Sequence, residues 1–129
     1  MASTDQQGSG SSTPEVALIV GGGPGISASC ARLFAQGGMA VAIAARNPDK
    51  PVLQSLAQSH GVRLYGCDAA DAAGLAALFA QVTQDLGAPR LVVHNIDGRV
   101  PGIFRKGITE ADPALALDTL RNAAFSAFL

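Results

Sequence analysis

The sequence predicts a three-layer α/β fold, one half of a doubly wound parallel sheet. Three observations predict it. Short apolar runs alternate along the 129 residues with stretches of helical period, the order expected of strands joined by helical crossovers. Each run ends in glycine or polar residues, as buried parallel strands do at their carboxyl ends. The first run, Val16-Ala17-Leu18-Ile19-Val20, breaks directly into Gly21-Gly22-Gly23-Pro24-Gly25-Ile26-Ser27 before a helix begins. Glycines there allow a sharp turn and close approach of a ligand, and the free N–H groups and positive dipole end of the next helix favour a phosphate.

Met1 to Thr13 is rich in Ser, Gly and Gln and reads as a disordered tail, leaving 14–129 as a single domain. After the glycine turn, Ile26, Cys30, Leu33 and Phe34 share one predicted helical face, and Gly37-Gly38 stops the helix. Met39 to Ala45 is a second apolar strand ending at Arg46-Asn47-Pro48. Pro51 to His60 is a helix with Leu53, Leu56, Ala57 and His60 on one side and Gly61 as its stop. Val62 to Cys67 is the third strand, followed by Asp68. Asp71 then caps a helix whose apolar face is Leu75, Leu78, Phe79, Val82 and Leu86, closed by Gly87-Ala88-Pro89.

Leu91 to Val93 is the fourth strand and gives way to His94-Asn95-Ile96-Asp97-Gly98. From Arg99 to Ala111 no period is visible, although Val100, Ile103, Phe104 and Ile108 keep the loop apolar enough to pack. Asp112-Pro113 starts a last helix with Leu117, Leu120, Ala124 and Phe128 on one side, and no stop signal precedes Leu129. Right-handed crossovers give the strand order 3-2-1-4. The fourth strand is then buried on its faces but open at its edge. The cleft lies beside the carboxyl ends of strands one and four, and there the glycine turn, Arg46, Asp68 and Asn95 meet.

A hydrophobic share of 48% fits a packed core, and a net charge of -1 with nine scattered Lys and Arg residues excludes a nucleic-acid stripe. Neither an apolar run of the ~18 residues a membrane helix needs nor a signal peptide is present. Cys30 and Cys67 lack metal-ligand spacing and sit among small apolar residues like buried thiols. The expectation is a cytoplasmic protein without a metal site.

Several residues carry two readings. The glycine turn serves strand-to-helix geometry or a nucleotide, and its register is Gly21, Gly25 and Ser27 or the alternative Gly23-x-Gly25-x-x-Ala28. Methyltransferases use a similar turn but commonly place an acid after strand two, where this chain has Arg46. Arg46 is a solvated charge or an anion ligand, Asp68 opens a turn or touches a ligand, and Asn95 locks strand four or faces the cleft. His94 is a packed histidine or a proton carrier, and His60 simply ends a helix. Arg105-Lys106 is a surface pair or a lure for an anionic substrate.

Ile19 through Ser27 resembles the Thr-Gly-x-x-x-Gly-Ile-Gly turn of the short-chain dehydrogenase/reductase family. Cys67-Asp68-Ala69-Ala70-Asp71 is similar to that family's Asp-x-x-Asp segment, and His94-Asn95-Ile96-Asp97 to its Asn-Asn-Ala-Gly motif. The resemblance covers Glu15 to Leu129, the N-terminal half of such an enzyme. It implies a Rossmann fold, a nicotinamide cofactor, and hydride transfer between NADPH and a small carbonyl or alcohol substrate. It would put Gly21, Gly23, Gly25 and Ile26 on the pyrophosphate, Arg46 and Asn47 near a 2′-phosphate, Asp68 at the adenine and Asn95 on the nicotinamide side. No acid stands at Ala44, Ala45 or Arg46, so NADP(H) is preferred over NAD(H).

The departures are Val20 for Thr, Ser27 for the last Gly, His94 for the first Asn and Asp97 for Gly. The helical Asn of the family corresponds to Asn122 or, counting back from the Phe128-Leu129 ending, to the place of Ala123. The family's proton transfer uses a Ser and a Tyr-x-x-x-Lys. The one tyrosine here begins Tyr65-Gly66-Cys67-Asp68-Ala69, with no lysine four residues on. The expectation is therefore an N-terminal, cofactor-binding fragment with no catalytic residues of its own. The alternative is a non-catalytic NADP-binding or interaction module that senses the cofactor or pairs through its open strand-four edge; separately, the last helix is a candidate surface for homo-oligomers.

Overall fold

The computed structural model describes residues 12–104 and 106–129; the first eleven residues of the expected tail and Arg105 of the basic pair lie outside them. The elements run β1 (Val16–Val20), α1 (Ile26–Gln36), β2 (Ala40–Ala45), α2 (Pro51–His60), β3 (Arg63–Gly66), α3 (Ala72–Asp85), β4 (Pro89–His94) and α4 (Pro113–Ala123), then a 3-10 turn, Phe125–Phe128. Local chemistry sets their ends. The Asp71 carboxylate accepts from the Ala73 amide and that of Asp112 from the Ala114 amide, satisfying donors that each helix start leaves free. Pro51 and Pro113 occupy first-turn positions, where a missing N–H costs nothing.

The four strands form one parallel sheet in the expected order β3-β2-β1-β4. β1 is central and buried along its whole length. Its side chains alternate between two cores. Leu18 and Val20, with Ala42 and Ala44, pack under Leu75, Leu78 and Val82 of α3. Ile19, with Val41, Ile43 and Ala45, packs under Ala28 and Ala31 of α1 and Leu53 and Leu56 of α2. Helices thus cover both faces, which gives the three layers.

Several expectations need correction. On α1, Ile26 and Leu33 are each 66% exposed, and the inward residues are Ser27, Ala28 and Ala31, with Cys30 and Phe34 half-buried beside them. The helix lies close against the sheet, and small side chains permit that approach. On α4 no residue is buried: Leu117 and Leu120 point outward, and helix gives way to the 3-10 turn before the exposed Phe128. Its loop-facing side is Leu115, Thr119 and Asn122, for Thr119 Oγ1 accepts from the Val100 amide at 3.4 Å. On β4, Leu91 and Val92 are 37% and 45% exposed, and Val92 borders an open hollow between α3 and the 3-10 turn rather than a closed core. Phe104 and Ile108, expected to pack, are exposed too.

The two cysteines are half-buried and free rather than enclosed. Among the described residues no helix is long and apolar enough to cross a membrane.

The corrected α1 face makes a contrast testable by urea denaturation. Leu53→Ala, at a site with no exposure, is expected to cost ~2–5 kcal/mol. Leu33→Ala should stay within about 0.5 kcal/mol of the parent.

Candidate functional site

A cleft of about 930 Å³ opens at the carboxyl ends of the strands. The topology requires it: chain leaves β1 toward β2 on one side, while β4 pairs on the other, so the loops above diverge. The glycine turn after β1 forms its floor, with Arg46 and Lys50 from the β2–α2 connection, Cys67 to Ala70 after β3, and Asn95 to Pro101 after β4. Asn122 reaches it from α4.

Of the sequence-predicted residues, Gly21, Gly23, Arg46, Asp68 and Asn95 line this one cleft. Gly25, Ile26 and Asn47 are not part of its lining. Gly25 is the N-cap of α1, the Ile26 side chain points to solvent, and the Asn47 carboxamide oxygen accepts from the Asp49 amide at 3.0 Å, shaping its own turn.

The turn is held from three sides. The Gly21 amide donates to Ala44 O at 2.9 Å, and the Asn95 amide donates to Val20 O at 2.8 Å. Gly21 has φ +106°, and a Cβ there would lie 2.1 Å from Asn95 O, so no other residue fits. Beneath, the buried Ser27 hydroxyl donates to Gly21 O and accepts from Asn95 Nδ2 at 2.8 Å. Gly23 differs. Its φ is ordinary, and nothing lies within 4 Å of where its Cβ would be. Among the described residues the Gly22, Gly23 and Gly25 amides donate to no protein acceptor.

The charges divide by position. Lys50 Nζ donates to Gly22 O at 3.2 Å, and among the described residues neither Lys50 nor Arg46 pairs with a carboxylate. Across the cleft, Arg99 forks onto Asp97 through two 2.6 Å bonds and lies over the Phe104 ring, 4.5 Å from its centroid. Those bonds hold the Asp97 carboxyl down at about 2. Burial, then the Asp68 and Asp71 carboxylates, pushes the Cys67 thiol up. Asp68 Oδ1 accepts from the Ala70 amide at 3.0 Å, so it opens a turn and lines the cleft at once.

His94 and Tyr65 take structural places. Ser126 spends its one proton on Asn122 O at 2.6 Å, so His94 Nε2 is the donor in their 3.1 Å bond, which fixes the ring against the 3-10 turn. The Tyr65 hydroxyl donates to Asp85 Oδ2 at 2.9 Å outside the cleft, and burial, then that bond, raise its pKa. Among the described residues no cluster of three metal-ligating side chains exists.

Sequence reasoning missed Lys50, Asp97 and Arg99 as lining residues. Lys50 had a signal, a cation just before the α2 start on the cleft edge. Asn122 was a candidate, and its Nδ2 donates to Gly98 O at 3.4 Å.

NMR titration is expected to find Asp97 ionising near 2 rather than the usual 3.8, and Arg99→Gln to return it toward 3.8. The folded value lies below the unfolded one, so the contribution to stability is present above about pH 4 and is lost as pH falls toward 2. Gly21→Ala is expected to lower the thermal midpoint sharply, because both the backbone angle and the Asn95 carbonyl oppose a methyl group.

A family model described as enoyl-(acyl carrier protein) reductase matches residues 21–129. No curated protein sequence matches the chain. Among solved structures, a short-chain dehydrogenase/reductase mutant from Serratia marcescens is similar at 25% identity and a TM-score of 0.73, covering 88% of this chain and 46% of that one. YwfH, described as an NADPH dependent reductase involved in bacilysin biosynthesis, is 19% identical with a TM-score of 0.73, covering 89% and 49%. Cj0485 dehydrogenase is 21% identical with a TM-score of 0.72, covering 90% and 44%. The likenesses to YwfH and Cj0485 dehydrogenase concern the fold alone, and this chain spans about half the length of each of these structures. The matched span takes in the glycine turn and the strand-four motif of this parallel sheet, and the chain belongs to the short-chain dehydrogenase/reductase family of oxidoreductases.

Proposed function

We propose that residues 14–129 hold the cofactor of an NAD(P)-dependent oxidoreductase, and that the cofactor is NADP(H) in preference to NAD(H). The observation that carries this reading is Gly23. It lines the cleft, its backbone angle does not demand glycine, and no protein atom fills the place of its Cβ. A bare backbone facing open space suits a pyrophosphate approaching at hydrogen-bond distance. The unpartnered amides of Gly22 and Gly23 supply donors there, and α1 adds its dipole through the amides of its first turn, Ile26 included.

Arg46 follows β2, where an acid would receive a ribose 2′-hydroxyl. With no carboxylate partner among the described residues, its guanidinium and the Lys50 ammonium are available to a 2′-phosphate, with Asn47 shaping the turn beside them. Asp68 and Ala69 border the adenine end, and Asn95 the nicotinamide side. When bound, the nicotinamide supplies a hydride to, or takes one from, a carbonyl or alcohol carbon. This chain's residues bind and orient the dinucleotide. Tyr65, engaged with Asp85 away from the cleft and with its pKa raised, is unsuited to pass a proton to a substrate oxygen. That engagement also favours a second reading for these residues taken alone: a cofactor-binding module without chemistry.

Fluorescence titration with NADPH and NADH tests the reading. NADPH should bind more tightly, and Arg46→Gln should weaken NADPH by about tenfold or more while leaving NADH nearly unchanged. Binding of neither dinucleotide would overturn the proposal, and tighter NADH binding would overturn the role of Arg46.

A further inference from the structure

We propose that Ser27 is a positioning residue for the pyrophosphate end of the cleft, where its buried hydroxyl, oriented by Asn95, fixes the direction of the glycine-turn amides. This rests on the dinucleotide reading above.

Ser27 is 1% exposed and sits in the first turn of α1, directly under the glycine turn. A hydroxyl has one proton, and here the Gly21 carbonyl receives it. The oxygen lone pair therefore faces Asn95 Nδ2, 68 residues away in sequence, which donates at 2.8 Å. Asn95 is itself fixed, because its amide is bonded to Val20 O at the end of the central strand. The relay has one direction only: amide of Asn95, hydroxyl of Ser27, carbonyl of Gly21.

The consequence lies in the next peptide unit. The Gly21–Gly22 peptide is planar and trans, so its C=O and N–H point oppositely. With the carbonyl drawn down onto Ser27, the Gly22 N–H is turned up, away from the helix and toward the cleft that Gly22 lines. A run of glycines has no side chains to hold such an orientation, and rotation about its soft dihedrals would spread that donor over many directions. Ser27 removes this freedom before any ligand arrives, and donors already aimed need not be ordered on binding. Ala at this position would keep the helix and its packing but release the carbonyl.

The test separates the two ends of the ligand. Calorimetric titration of the parent chain and Ser27→Ala would use NADPH and adenosine 2′-monophosphate, which carries the 2′-phosphate but no pyrophosphate. Ser27→Ala is expected to weaken NADPH about tenfold and leave adenosine 2′-monophosphate within about twofold. Ser27→Cys, close in shape with a weaker donor, should fall between, and it carries the same test if the alanine variant fails to fold. The backbone order parameter of the Gly22 amide in the ligand-free chain should fall in Ser27→Ala, a readout of its orientation independent of any ligand. Unchanged NADPH affinity, equal weakening of both ligands, or an unchanged Gly22 order parameter would overturn the proposal. Failure of the parent chain to bind NADPH would overturn the dinucleotide reading itself, and it would be seen before any variant is made.

Discussion

The structure turns on Gly21. At this residue the central strand ends, and three other parts of the chain converge on its one peptide unit. Its amide completes the ladder to β2 through Ala44 O, its carbonyl is taken by Ser27 of α1, and the space where its side chain would stand is filled by the Asn95 carbonyl after β4. A parallel sheet needs a crossover after every strand, and β1, having neighbours on both sides, cannot let its own exit loop stray over either one. A residue without Cβ at φ +106° is the solution adopted. Because the exit is this tight, α1 begins almost on top of the sheet edge. The cleft beside it, bounded by the β2 and β4 loops, is a by-product of the same geometry.

That closeness explains where periodicity failed as a guide. Selecting the large residues of α1 put Ile26 and Leu33 inside, but the inner face of this helix carries small side chains. The burial belongs to Ser27, Ala28 and Ala31. Helix α2 enters through a connection of the same length and seats Leu53 and Leu56 in the core it shares with α1, so there the pattern and the packing agree. In α3 the same agreement holds for Leu75, Leu78 and Val82, while Phe79 at the edge of the stripe stays partly in water. Hydropathy shows which residues want burial; the distance between layers decides which can have it. Caps and stops were more legible, since Asp71, Asp112 and Gly61 act through bonds to residues only a few positions away and Pro51 through its own missing N–H.

The site divides along the same line. The glycine turn, Arg46, Asp68 and Asn95 were readable because each sits at a strand end, and the strand order alone brings strand ends together. What was not readable is how those ends are bonded to each other. Ser27 stands in the sequence only as a departure from the family's last Gly, yet its hydroxyl is bonded to the turn below which it lies and to Asn95 beyond. No spacing rule connects positions 27 and 95. Lys50 likewise belongs to the cleft only because the β2–α2 connection folds back to bring its ammonium to Gly22 O.

The charges then give the cleft a direction. β2 and β4 flank β1 on opposite sides, so the residues after them stand at opposite ends of the opening. After β4, Arg99 and Asp97 neutralise one another through a two-bond fork, and the guanidinium is further occupied by the Phe104 ring. After β2, Arg46 and Lys50 stand without carboxylates among the described residues, and one cation is anchored to the glycine turn itself. Within a Debye length of ~8 Å at physiological salt, such an asymmetry is felt by an entering anion. A molecule charged at one end and nearly neutral at the other would be drawn in with its charge toward β2. The glycine amides would then meet its middle, and its neutral end would come to rest beside Asn95.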